Sequence, residues 1–157
     1  MLTSEGLMSR ALNLLVADDD PASREMVQAA LSAYGYNIDT AGDGLTAWNI
    51  VQEHVVDLAI VDLNMPELSG YDFIARCRVN DDLMRLPIIV MSAATEDEVA
   101  ERAFGLGATG YVHKPISWPI LSHQVWYVLH NEARAAELRA LKARIGITAP
   151  LPIELAH

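Results

Sequence analysis

Cysteine occurs once in the 157 residues, as Cys77, which excludes an internal disulfide and a cysteine-rich zinc site. Basic residues are also scarce: 11 Lys and Arg stand against 21 Asp and Glu, a formal net charge of -10. Nucleic acid or an anionic membrane surface would require counter-charge, so neither is an expected partner, and there is no long basic run to override the balance. No apolar stretch approaches the length of a membrane span. The first residues, MLTSEGLMSR, lack a basic region followed by a long apolar core, so they do not read as a signal peptide, and the expected compartment is the cytoplasm. What remains is 52% hydrophobic and 20% charged residues, a globular composition. The length suits one domain with a substantial core and is short for two.

Short apolar strands alternate with helical segments. Residues 13–17 (NLLVA) read as a buried strand, and Asp20–Pro21 as a helix cap followed by proline at the first helical position. Met26, Ala29, Ala30 and Ala33 are the expected apolar face of that helix, which stops at Gly35. A strand follows at 37–41, a turn at 42–44 and a helix over 45–54. Residues 57–63 (DLAIVDL) read as a β-branched strand, 64–70 (NMPELSG) as a loop, and 71–79 as a helix with Phe73, Ile74 and Cys77 inward. Cys77 is expected as a core residue, not a reactive thiol. Another buried strand falls at 87–93, a helix at about 95–105, and the last strand at 110–115, where His113 is expected to pack partly buried. Five strands alternating with helices, nearly continuous in apolar residues, predict a parallel sheet covered on both faces: an α/β protein, a three-layer α/β/α sandwich. Ligands of such sheets bind at the carboxyl ends of the strands.

The tail breaks this rhythm. One helix is expected from about Trp118 to Ile145, with Leu121, Val125, Val128 and Leu129 covering the sheet and an apolar spacing at Leu138, Leu141 and Ile145. Gly146 is the expected stop, and 147–157 a loose tail. The division is a first unit at 11–130 and a helical extension with tail at 131–157. The extension reads either as a frayed continuation or as a coupling and dimerising helix, the latter implying a homodimer. It does not carry the three or four full apolar heptads of a strong coiled coil.

The strand ends carry the chemistry. Asp18, Asp19 and Asp20 follow the first strand, Asp62 ends the third, Ser92 the fourth and Lys114 the fifth. Any one of these is unremarkable as a cap, turn or solvated residue; together, at one edge of a parallel sheet, they suit phosphoryl transfer to a carboxylate. Asp62 is the candidate nucleophile, forming an aspartyl phosphate. Asp18, Asp19 and Asp62, with the backbone carbonyl of Asn64, are candidate oxygen ligands of Mg2+. Lys114 is a mobile point charge for a phosphate oxygen, and the Ser92 hydroxyl can bond another. Asp20 is either the helix cap or an acid at the rim of the site. The Lys114–Pro115 bond is a candidate cis peptide.

On the motifs LLVADDDP, AIVDLNMPELSGYD, PIIVMSA and GATGYVHKP, in this order and spacing from about Leu12 to His130, the chain resembles the response-regulator receiver domains of two-component signalling. The resemblance implies a flavodoxin-like five-stranded sheet of order 2-1-3-4-5. It implies Asp62 as phosphoacceptor, Asp18 and Asp19 as the acidic pair, the Asn64 carbonyl as metal ligand, Ser92 as switch hydroxyl and Tyr111 as aromatic switch. The implied activity is acceptance of a phosphoryl group from a histidine kinase or phosphotransfer protein, with slow self-hydrolysis rather than enzymatic turnover. The signal would leave through the face of the fourth helix, fifth strand and fifth helix. Ser92 stands where threonine is commoner, which keeps the hydroxyl. Residues 115–141 are similar to linkers that join receivers to diguanylate-cyclase outputs, so a downstream cyclase is an expected partner. The sequence leaves two readings open, a piece of a longer protein or a stand-alone regulator. Competing functions are a docking receiver indifferent to phosphate and a phosphatase using Asp18 and Asp20 as an acid pair.

Overall fold

The computed structural model describes residues 10–146, so the expected loose tail at 147–157 lies outside the described residues. The apolar runs form five strands: β1 (Asn13–Ala17), β2 (Asn37–Ala41), β3 (Leu58–Asp62), β4 (Ile88–Ser92) and β5 (Gly110–His113). Between and after them lie α1 (Pro21–Ser32), α2 (Gly44–Glu53), α3 (Gly70–Arg78), α4 (Asp97–Leu106) and α5 (Trp118–Arg144). All strand pairs are parallel, in the order β2-β1-β3-β4-β5. The three-layer α/β/α sandwich and the strand order agree with the expectation.

The period of two along each strand divides the core into two layers. Leu15, Ala17, Ala59, Val61, Ile88 and Val90 face one side, where α2, α3 and α4 supply Ala47, Val51, Phe73, Ile74, Cys77 and Ala103. Leu14, Val16, Leu58, Ile60, Ile89 and Met91 face the other, covered by Val27 and Leu31 of α1 and by Leu121, Val125, Leu129 and Ala133 of α5. β3 and β4 are buried at every position, which is why they read as unbroken apolar runs instead of alternating ones.

Two packing expectations are corrected. In α1, Met26 is 55% exposed, and Ala29 and Ala33 also face solvent. The core contact is made by Val27 and Leu31, one helical turn apart on the same face, with Met26 rotated away from it. His113 is exposed, because β5 is an edge strand and only Val112 there is fully buried. Among the described residues no helix is long and apolar enough to cross a membrane.

One arginine ties two helix ends together. The Arg78 Nε and Nη2 both donate to the carbonyl of Gly107, at 3.0 and 2.7 Å, and Nη1 donates to the carbonyls of Leu83 and Met84 at 3.4 and 3.3 Å. Gly107, with φ 112°, closes α4 in the left-handed conformation that suits glycine. Farther along, the Arg102 guanidinium stacks over Tyr71 of α3, 4.0 Å from the ring centroid.

Cys77 is fully buried, and desolvation pushes its thiol up to about 11, against a weak opposing effect of the Arg78 charge. The folded chain is expected not to react with a thiol reagent at pH 8, and to react with one equivalent once denatured. The unfolded thiol ionises near its ordinary value of 9.0 while the folded one keeps its proton to about 11, so stability falls as pH rises through that interval. Denaturant titrations at pH 8 and pH 10.5 check the sign.

Candidate functional site

The carboxyl ends of β1, β3, β4 and β5 open on one edge of the sheet. The register sets Asp62 opposite Met91 and Ser92 opposite His113, so Asp62, Ser92 and Lys114 leave the sheet side by side. Asp18 follows β1, its N–H donating to the Ala41 carbonyl at 3.0 Å. Asp18 and Asp62 are buried and Asp19 is exposed. One carboxylate oxygen from each of the three lies within 4.8 Å of the others.

Lys114 supplies the counter-charge. Its Nζ donates to Asp18 Oδ2 at 2.8 Å and also to Asp62 Oδ2. Its own backbone N–H donates to the Ser92 carbonyl at 2.8 Å, and the Lys114–Pro115 peptide, which the sequence only made a candidate, is cis. The remaining carboxylate oxygens meet backbone donors: the Asn64 N–H reaches Asp62 Oδ1 at 2.8 Å, and the Asp20 N–H reaches Asp18 Oδ1 at 3.0 Å.

These contacts give the two buried acids opposite characters. Burial pushes the Asp18 carboxyl up, but Lys114, Ser23 and the Asp20 N–H together outweigh it and hold Asp18 below the usual carboxylate range. At Asp62 burial wins: the carboxyl stays raised despite Lys114 and the Asn64 N–H, with the Asp18 charge adding to the rise. Burial draws the Lys114 ammonium down, and its two carboxylate partners more than restore it, leaving it raised.

Ser92 is buried, with its Oγ accepting the Ala94 N–H at 3.0 Å. Tyr111 lies half-buried in the layer with α4, its hydroxyl donating to the Ala94 carbonyl at 3.5 Å and its ring 6.5 Å from that of Phe104. Asp20 takes the cap role. Its side chain accepts the Ala22 N–H at 3.1 Å at the start of α1, and its carboxylate stands outside the acid cluster.

Three supports escaped the sequence reading. Arg24, on α1, donates to the Asp18 carbonyl at 2.7 Å and pins the loop that carries the acids. Gly70 lets α3 start against the Asp62 backbone, and Gly44 lets α2 start against Leu68 in the loop that follows. A Cβ on Gly70 would lie 2.5 Å from the Asp62 carbonyl oxygen, and one on Gly44 would lie 1.8 Å from the Leu68 carbonyl oxygen. Glycine in a helix's first position reads as an ordinary turn residue, and nothing local marks Arg24.

A parallel sheet of this order, with three clustered carboxylates and an ammonium at its carboxyl edge, is the arrangement of a phosphoacceptor switch. Residues 14–125 match the response regulator receiver domain family, and the chain belongs to that family. It is 39% identical to the response regulator GtcR of Aneurinibacillus migulanus over 104 residues, 66% of this chain and 42% of that protein. It is 29% identical to the chemotaxis protein CheY-3 of Vibrio cholerae over 122 residues, 77% of this chain and 94% of that one. The structure of the chemotaxis regulator CheY4 of Vibrio cholerae superposes with a TM-score of 0.72 at 30% identity, covering 76% of this chain and 99% of that one. The chain thus spans less than half the length of GtcR, and nearly all of the length of CheY-3 is matched.

Proposed function

We propose that Asp62 accepts a phosphoryl group from a histidine kinase or phosphotransfer protein, and that the chain passes this event on as a change of surface. The observation that carries the assignment is the setting of Asp62: a buried carboxylate at a strand end, oriented by the Asn64 N–H and Lys114, with Asp18 and Asp19 beside it. A carboxylate oxygen of Asp62 attacks phosphorus. The P–O bond forms as the P–N bond of the donor phosphohistidine breaks, and the imidazole leaves with the electron pair and takes a proton from solvent. Water later attacks the acyl phosphate and returns the free carboxylate and inorganic phosphate.

Asp18, Asp19, Asp62 and the backbone carbonyl of Asn64 would hold Mg2+. Clustered hard oxygen donors fit that ion, and the cluster contains no nitrogen or sulfur donor that would favour a softer metal. When bound, the ion supplies positive charge against the phosphoryl oxygens. Lys114, already on Asp62, follows the new phosphate oxygen as a point charge. Ser92 gives up its bond from the Ala94 N–H and donates to another oxygen, and Tyr111, anchored to the same residue's carbonyl, moves with that loop. The surface so altered is that of α4, β5 and α5.

In the same reading the chain works in the cytoplasm, as a receiver over 11–130 with an extension over 131–157. The extension joins two copies or leads to a downstream cyclase, for which the length and exposed apolar residues of α5 are the support. The test is intact-mass measurement after acetyl phosphate. One phosphoryl addition is expected with Mg2+ and none with chelator. Labelling that is absent with Mg2+ at neutral pH would sink the assignment.

A further inference from the structure

The amino ends of the strands carry a cavity of their own, on the edge of the sheet opposite the acids. Pro87, just before β4, and Thr109 and Gly110, at the start of β5, line it from the sheet, and Gln124, Val128 and Ala135 line it from α5. It measures about 430 Å³ and shares Arg85, Pro87 and Glu132 with a second cavity of about 300 Å³. That size is in the range of sites for small organic ligands. Charge is the second observation. The chain has only 11 basic residues, and four of them, Arg10, Arg78, Arg85 and Arg139, gather at this edge. Three are occupied. Arg10 holds Asp57 at 2.8 and 3.0 Å, and Arg78 is spent on the carbonyls of Gly107, Leu83 and Met84. Arg139 reaches Glu132 through Nη2 at 2.9 Å, which leaves its Nε buried without an acceptor. Arg85 is exposed on the wall common to both cavities, and among the described residues it has no hydrogen bond or ion pair.

We infer that this cavity is a second ligand site, and that its ligand is a small organic monocarboxylate with an apolar body. The free cation sets the sign of the ligand, and the planar guanidinium of Arg85 matches a carboxylate with two parallel bonds. The local balance sets the size of its charge. The four arginines stand against three acids, Asp57, Asp82 and Glu132, so one negative charge completes the edge. A doubly charged phosphate would overshoot it and meet Asp82 and Glu132 as like charges. A ligand oxygen reached by Arg139 also relieves its unmet Nε, whose burial without a partner is a standing cost. The apolar body packs on Pro87, Val128, Ala135 and the Tyr127 ring, and the Asn131 amide offers a further polar contact. Such a ligand touches the loops that open β4 and β5 and helix α5 at once, so it steadies the seat of α5 on the sheet. It does so away from Asp62 and independently of the phosphoacceptor.

The experiment uses the full chain, with backbone amide resonances followed by NMR during titration. The probes are phenylpropionate, indoleacetate and octanoate, with phenylpropionamide as the uncharged counterpart and inorganic phosphate as the dianion. Saturable shifts at Thr109, Gly110 and Asn131 are expected from at least one carboxylate. Affinity should fall at least tenfold for the amide and in Arg85→Gln, the loss of one charge-assisted pair. It should fall comparably in Ala135→Leu, which fills the apolar wall and leaves every charge in place. Labelling of both variants by acetyl phosphate should be unchanged. No saturable shift from any of the three carboxylates overturns the site. Shifts that gather at Asp62 and Lys114 instead also overturn it. An amide that binds as well as its acid, or phosphate that binds more tightly than the carboxylates, overturns the ligand class.

Discussion

Asp62→Asn leaves the chain unlabelled by acetyl phosphate and Mg2+, with no loss of fold. The amide keeps the shape and an acceptor oxygen for the Asn64 N–H, but it lacks the negative charge and cannot form an acyl phosphate. Burial already disfavours the Asp62 charge, since the carboxyl is raised by desolvation and by Asp18. Removing that charge relieves a cost, while Lys114 keeps its bond to Asp18 at 2.8 Å. Thermal denaturation should therefore find the variant at least as stable as the parent, and intact-mass measurement should find only background labelling. Undiminished labelling of the asparagine variant would move the acceptor to Asp18 or Asp19, the carboxylates within 4.8 Å.

Gly44→Ala gives the largest expected loss of stability. The new Cβ would sit 1.8 Å from the Leu68 carbonyl oxygen and 2.6 Å from its carbon, both main-chain atoms that no rotamer change can move. The Gly44 N–H also donates to the Pro66 carbonyl at 3.3 Å, so the start of α2 and the loop after β3 share one tight contact. Overpacking of this kind costs about 3 kcal/mol, which for a chain of this size lowers Tm by roughly 10 °C. Because that loop continues directly from Asp62, labelling should also slow. Gly105→Ala is the control: nothing lies within 4 Å of its new Cβ inside α4, so it should stabilise by about 0.5–1 kcal/mol through helix propensity. Paired calorimetric scans check both signs.

The strand ends were legible because a parallel sheet covered on both faces leaves its polar residues only at its edges. Asp18, Asp62, Ser92 and Lys114 stand out for that reason, and the structure brings Lys114 onto two acids, one of them 96 residues distant in sequence. The strand order rested on family resemblance, since alternation fixes layers and not neighbours. Side-chain direction was harder. Met26 and Val27 are adjacent apolar residues, and only tertiary packing selects Val27. His113 follows the inward Val112 and turns out to solvent, because an edge strand has less to cover it. Arg24 was invisible for a related reason: its partner is a backbone carbonyl, which no residue type signals. The apolar spacing of Leu138, Leu141 and Ile145 on α5 was legible, and the structure adds that all three are exposed.

The two arginine contacts of α4 lie in one half of that helix. Arg78 grips Gly107 at its carboxyl end, and Arg102 stacks on Tyr71 within its last two turns. At the other end Glu96 makes no side-chain cap bond. The helix is thus mounted like a door, with its pivot at the bottom of the sheet and its free edge beside Ser92 and Ala94. In the proposed mechanism, a small movement at the serine is therefore expected to be felt at the amino end of α4, with Gly107 staying in place.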